Sequence, residues 1–149
     1  MPQLSQIMVR TALLWLGLGY TAGGLALLAK GVTVPPWLWS LRASHVHMLL
    51  VGWTVQLALG IAYWILPRFD AAGSRGGSRP VWLSYATLNA GVLLAALPAP
   101  LAALTGTTPP AWVPVAAAVA YLAAAAAFIS HAWRRVLPFR SLPRPNAER

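Results

Sequence analysis

The chain has 149 residues, of which 58% are hydrophobic and only 9% charged, a balance that excludes an ordinary soluble globular domain. It has no cysteine, which removes a disulfide framework, thiolate metal ligands and a Cys nucleophile. Its net charge of +9 sits between apolar runs rather than along one basic face, so it argues for membrane topology and against nucleic-acid binding.

A helix needs about 20 mostly apolar residues to cross roughly 30 Å of hydrocarbon. Four stretches meet that requirement: 6–29, 44–66, 81–105 and 111–136. The expected fold is therefore all-α, a polytopic four-transmembrane-helix bundle forming one domain over 1–136. A basic, Pro/Arg-rich cytoplasmic tail follows over 137–149. The first span is too long and its start too poor in charge for a cleaved signal peptide. Lys30 and Gly31 close it, and Pro35-Pro36 stiffens a Trp-rich loop. Ser44 reads as the N-cap of the second span and Pro67 as its stop. The stretch 70–79, mostly Gly, Ser and Arg, reads as a solvated loop. Pro98 and Pro100 should kink or interrupt the third span, and Thr107-Thr108-Pro109-Pro110 should turn the chain into the fourth.

Orientation follows from Lys and Arg. Nine arginines (positions 10, 68, 75, 79, 134, 135, 140, 144 and 149) fall on one side, against Lys30 and Arg42 on the other. The positive-inside rule places the nine in the cytoplasm, giving an N-in/C-in protein of a bacterial or archaeal inner membrane. Eight Trp suit the headgroup level. Gly17, Gly19, Gly23 and Gly24 in the first span, and Gly52 and Gly60 in the second, permit close helix contact or a flat cofactor against a helix.

Ionisable groups inside spans are candidates for function. His45 and His47 open the second span; His131 lies near the end of the fourth. Residues i and i+2 point about 200° apart on a regular helix, so His45 and His47 do not share one metal ion within a chain. The face of His45 continues through Leu49, Gly52, Gln56, Gly60 and Tyr63, with the two glycines leaving a shallow groove. His47 faces a packing surface of Leu50, Val51, Thr54 and Ala58. Both histidines could equally snorkel to water or bond a neighbouring helix. His131, beside Trp133, Arg134 and Arg135, reads as an interfacial residue, separated from the His45 level by about 30 Å of helix. Asn89 reads as a buried polar contact. Asp70 and Glu148 are the only acids, so paired-carboxylate catalysis has no basis, and no Ser-His-Asp set or phosphate loop can be assembled.

The segment Arg42-Ala43-Ser44-His45-Val46-His47-Met48-Leu49-Leu50-Val51-Gly52-Trp53, continuing to Gly60-Ile61-Ala62-Tyr63-Trp64-Ile65-Leu66-Pro67-Arg68, resembles the second transmembrane helix of haem–copper oxidase subunit I. It looks most like the C-type oxidases and the nitric-oxide reductase large subunit, and more loosely like NnrS-type haem proteins. The resemblance implies that His45 is an axial ligand of a haem b near the outer face. His47 stands where those relatives often have Asn or another polar residue. The likeness covers about 30 residues, and subunit I has about twelve spans, so the binuclear centre is not implied. A second axial ligand would have to come from elsewhere. Met48, about 60° from His45 on the same helix, is poorly placed for the opposite face of the ring. Either a second copy in a homo-oligomer supplies that ligand, or the iron is five-coordinate or water-ligated.

Three functions follow as expectations. The first is a haem b protein for electron transfer, with a respiratory-chain redox partner, or for diatomic-gas binding. The haem pocket would be drawn from His45, Gly52, Gln56, Gly60 and Tyr63. The second is a copper or zinc protein using His45 and His47 from several chains. The third is a structural or assembly partner of a respiratory oxidase.

Overall fold

A computed structural model describes residues 1–68 and 75–136. Among them are four helices long and apolar enough to cross a membrane, and no strand: α1 Gln3–Gly31, α2 Pro36–Ile65, α3 Arg79–Thr105 and α4 Trp112–Arg135. Only 22–33% of the most apolar window of each helix is buried. The rest of the surface presents residues such as Leu14, Leu27, Leu50, Leu83 and Leu122, an exterior matched to lipid rather than water. Asp70, and the tail from residue 137, lie outside the described residues.

The helices pack as two hairpins, α1 on α2 and α3 on α4, joined where α2 meets α3. Leu4, Met8, Tyr63, Val81 and Phe128, drawn from all four helices, form one core. Trp15, Met48, Val92 and Ala96 form a second, further along the bundle. Leu4 and Phe128 share a cluster, so both described ends of the chain lie at the arginine-rich end. Six Trp take positions near helix ends: Trp37, Trp39 and Trp112 at one end, Trp64, Trp82 and Trp133 at the other.

The start of the second span moves from Ser44 to Pro36. Pro36 belongs to the helix rather than to a loop; it opens a 3₁₀ turn over Pro36–Ser40, where its missing N–H leaves no bond unmade. Ser44 is no N-cap. It lies buried inside α2 and its hydroxyl donates to the Ala96 carbonyl of α3. The prolines of the third span act as expected: regular helix stops at Ala96 and resumes at Pro98. Gly106, at φ 69°, supplies the left-handed cap that ends it.

The middle of α2, Met48–Val55, is a π-helix. The Thr54 hydroxyl donates 3.0 Å to the Leu49 carbonyl, five residues back. This widening has a packing role. Between the buried Leu38 and Tyr63 of α2, the buried residues Ser44, Met48, Gly52, Gln56 and Gly60 recur every four positions as a stripe. On an α-helix of 3.6 residues per turn that stripe drifts by about 40° per step. A π-turn takes more residues, so it absorbs the drift and keeps the stripe on its neighbours.

Candidate functional site: His45 and the groove between α1 and α2

His45 turns toward α1. Its Nδ1 lies 2.8 Å from the Gly19 carbonyl oxygen, and its ring sits so close to Gly23 that a Cβ there would overlap the imidazole. A carbonyl oxygen only accepts, so Nδ1 carries the proton and Nε2 presents its lone pair. The ring forms one wall of an open groove of about 490 Å³ between α1 and α2, together with Tyr20, Gly23, Gly24, Lys30 and Arg42. Leu27 and Val46 make its walls largely apolar. Among the described residues, the two cations of the groove are the only Lys or Arg at this end of the bundle.

The groove is on the α1 side of His45 and not beneath it along α2. Gly52 and Gly60, expected to leave that space, are instead seats for α1 side chains. Trp15 fills the position beside Gly52, and Met8 the position beside Gly60. Gln56 is fully buried and its Nε2 donates 3.1 Å to the Met8 carbonyl. Its Oε1 accepts from Asn89 Nδ2 at 2.8 Å, and Asn89 Oδ1 accepts from Trp15 Nε1 at 2.7 Å. Asn89 also donates 2.8 Å to the Tyr85 carbonyl. This network ties α1, α2 and α3 together, which extends the expected role of Asn89 beyond its own helix. Of His45, Gly52, Gln56, Gly60 and Tyr63, only His45 lines the groove.

His47 points elsewhere, as two positions along a regular turn require. Its ring stacks on Tyr121 of α4 at a centroid distance of 6.2 Å and an interplanar angle of 25°, with Nδ1 3.3 Å from the phenol oxygen. It borders a separate cleft that also includes Pro98 and Pro114. Among the described residues no three His, Cys, Asp or Glu come together.

Tyr63 and His131 meet at the far end, with ring centroids 5.6 Å apart. Arg135 lies against both and is 2% exposed. Its guanidinium donates to three carbonyls at the end of α2: Tyr63 at 3.2 Å, Leu66 at 2.6 Å and Pro67 at 2.9 Å. The cause is local. The helical partner of the Tyr63 carbonyl would be the N–H of residue 67, and Pro67 has none. Counted on charge alone, Arg135 is one of nine topological arginines; its structural task was missed, although Pro67 four residues after Tyr63 signals the orphaned carbonyl. Tyr20, Gly23, Lys30 and Arg42 were likewise not grouped with His45. Their signal was the rarity of cations at that end and the Gly23-Gly24 pair.

No family model, curated protein or solved structure matches the chain, so the likeness to haem–copper oxidase subunit I rests on the α2 motif alone.

Proposed function

We propose that the chain is a haem b-binding protein of a bacterial or archaeal inner membrane, N-in/C-in, with His45 as an axial ligand near the outer face. The observation that carries this reading is the 2.8 Å contact of His45 Nδ1 with the Gly19 carbonyl. Metal-binding imidazoles characteristically donate the other ring N–H to a carbonyl or carboxylate, which fixes the ring and raises its basicity. The remaining nitrogen is free to ligate. When bound, the haem supplies one-electron exchange or a position for a diatomic gas.

The groove residues suit such a group. Gly23 lets the imidazole lie against the backbone of α1, and Gly24 has nothing within 4 Å where a side chain would begin, leaving the wall flat. Lys30 and Arg42 of the lining match the two carboxylates of a haem. Leu27 and Val46 provide the apolar surround that limits water. The groove offers one imidazole, so any second protein ligand would come from another copy of the chain, in a homo-oligomer that would hand electrons to a respiratory-chain partner.

The test is an optical spectrum of the detergent-purified protein, oxidised and then dithionite-reduced, beside His45→Ala. A Soret band and a reduced b-type α-band, both lost in the variant, are expected. A colourless protein from cells supplied with ample haem would overturn the reading, and elemental analysis for copper and zinc would follow.

A further inference from the structure

The arginine-rich end carries a second cleft, remote from His45. It measures about 880 Å³ and lies between the start of α3 and the last turn of α4, lined by Gly76, Gly77, Ser78, Arg79, Ser130 and Arg134. Arg79 and Arg134 come from different helices and are both exposed. Among the described residues neither has a hydrogen-bond or ion-pair partner. The chain's two acidic side chains, Asp70 and Glu148, lie outside the described residues, so no side-chain carboxylate accompanies these guanidinium groups among the described residues. The Ser78 hydroxyl caps nothing. The His131 imidazole donates a hydrogen bond to the Gly77 backbone, which holds one wall of the cleft against α4.

The neighbouring arginines divide their work. Arg135 is buried and its donors are taken by the three carbonyls at the end of α2. Arg134, one residue earlier, is exposed and lines the cleft. Two guanidinium forks on one cleft, with a free hydroxyl beside them, form a recognition surface for phosphate oxygens, which they can take in bidentate fashion. The cleft also lies at the ends of α3 and α4, at the depth where helices that span a bilayer reach the headgroups.

We propose that Arg79 and Arg134 clamp a phosphate-bearing anion, the headgroup of an anionic phospholipid or free phosphate of the same chemistry. The proposal is independent of the haem reading. Native mass spectrometry of the full chain in micelles, titrated with phosphatidylglycerol, phosphatidylcholine or inorganic phosphate, tests it. Arg79→Gln/Arg134→Gln should weaken phosphatidylglycerol binding by about tenfold or more. Arg10→Gln/Arg68→Gln removes equal charge from the same end and should change it less than about twofold. Phosphatidylcholine should bind weakly to all three proteins. Phosphatidylglycerol that resists millimolar phosphate identifies the lipid as the ligand; phosphate that binds alone with the same arginine dependence identifies the free anion. Equal losses in the two double variants, or no loss at the cleft, would overturn the clamp. Arg134→Gln alone, at an exposed position, gives the same reading with a smaller loss should the double variant not fold.

Discussion

The Tyr63 carbonyl has no helical donor because residue 67 is proline, and Arg135 of α4 supplies one from across the bundle. A buried acceptor left unpaired carries its full desolvation cost, and hydrogen bonds from charged donors are the stronger class. Arg135→Met should therefore lower stability by about 1.5–3 kcal/mol, measured by unfolding in mixed micelles. In a Pro67→Ala background the loss should be smaller, since a restored N–H at position 67 can take the Tyr63 carbonyl. Equal losses in both backgrounds would show that pairing the Tyr63 carbonyl is not how Arg135 stabilises the fold. At the same scale, His45 was legible as a candidate because ionisable side chains in spans are rare. Its proton-accepting partner was not legible: Gly19 lies 26 residues away, and a backbone carbonyl carries no side-chain signature.

At the scale of the helices, α2 shows how a glycine in sequence becomes a contact in the fold. A helical wheel leaves Gly52 and Gly60 as vacancies below His45, whereas packing against α1 places Trp15 and Met8 there. Without a hydrophobic force between helices in lipid, association depends on such close approach and on buried polar links. A Cβ on Gly52 would meet Trp15 Cγ at 2.7 Å, so Gly52→Leu must displace a ring held by Asn89. The expected cost is about 1–3 kcal/mol. Gly17→Leu, where nothing lies within 4 Å, should be near neutral in the same thermal unfolding experiment. Similar shifts for the two variants would sink the close-approach account. The π-helix was not legible, because its cause is the four-residue spacing of partners on α1 and α3 rather than any residue within Met48–Val55.

For the whole molecule, the distribution of charge predicts an orientation that can be measured directly. The chain lacks cysteine, so single-Cys variants report without background. Gln3→Cys and Thr108→Cys, exposed at opposite ends of the bundle, should label differently with a membrane-impermeant maleimide. Thr108→Cys should react on intact spheroplasts, and Gln3→Cys only after permeabilisation. The reverse pattern would invert the topology and place the His45 groove on the cytoplasmic side.

The sequence by itself determined the class of the protein: four apolar runs of spanning length, a proline break in the third, and a charge bias between the two ends. These are local or additive properties, set by composition and by the rise of a helix. Tertiary structure alone decided where space remains. It filled the expected hollow along α2, opened a groove at Gly23 and Gly24, and joined Lys30 and Arg42 to His45 there. It also separated Arg134 from Arg135, one facing a cleft and the other buried under carbonyls. The physical reason is common to these cases. A side chain's partner is set by which faces meet when helices pack, and that relation joins residues tens of positions apart.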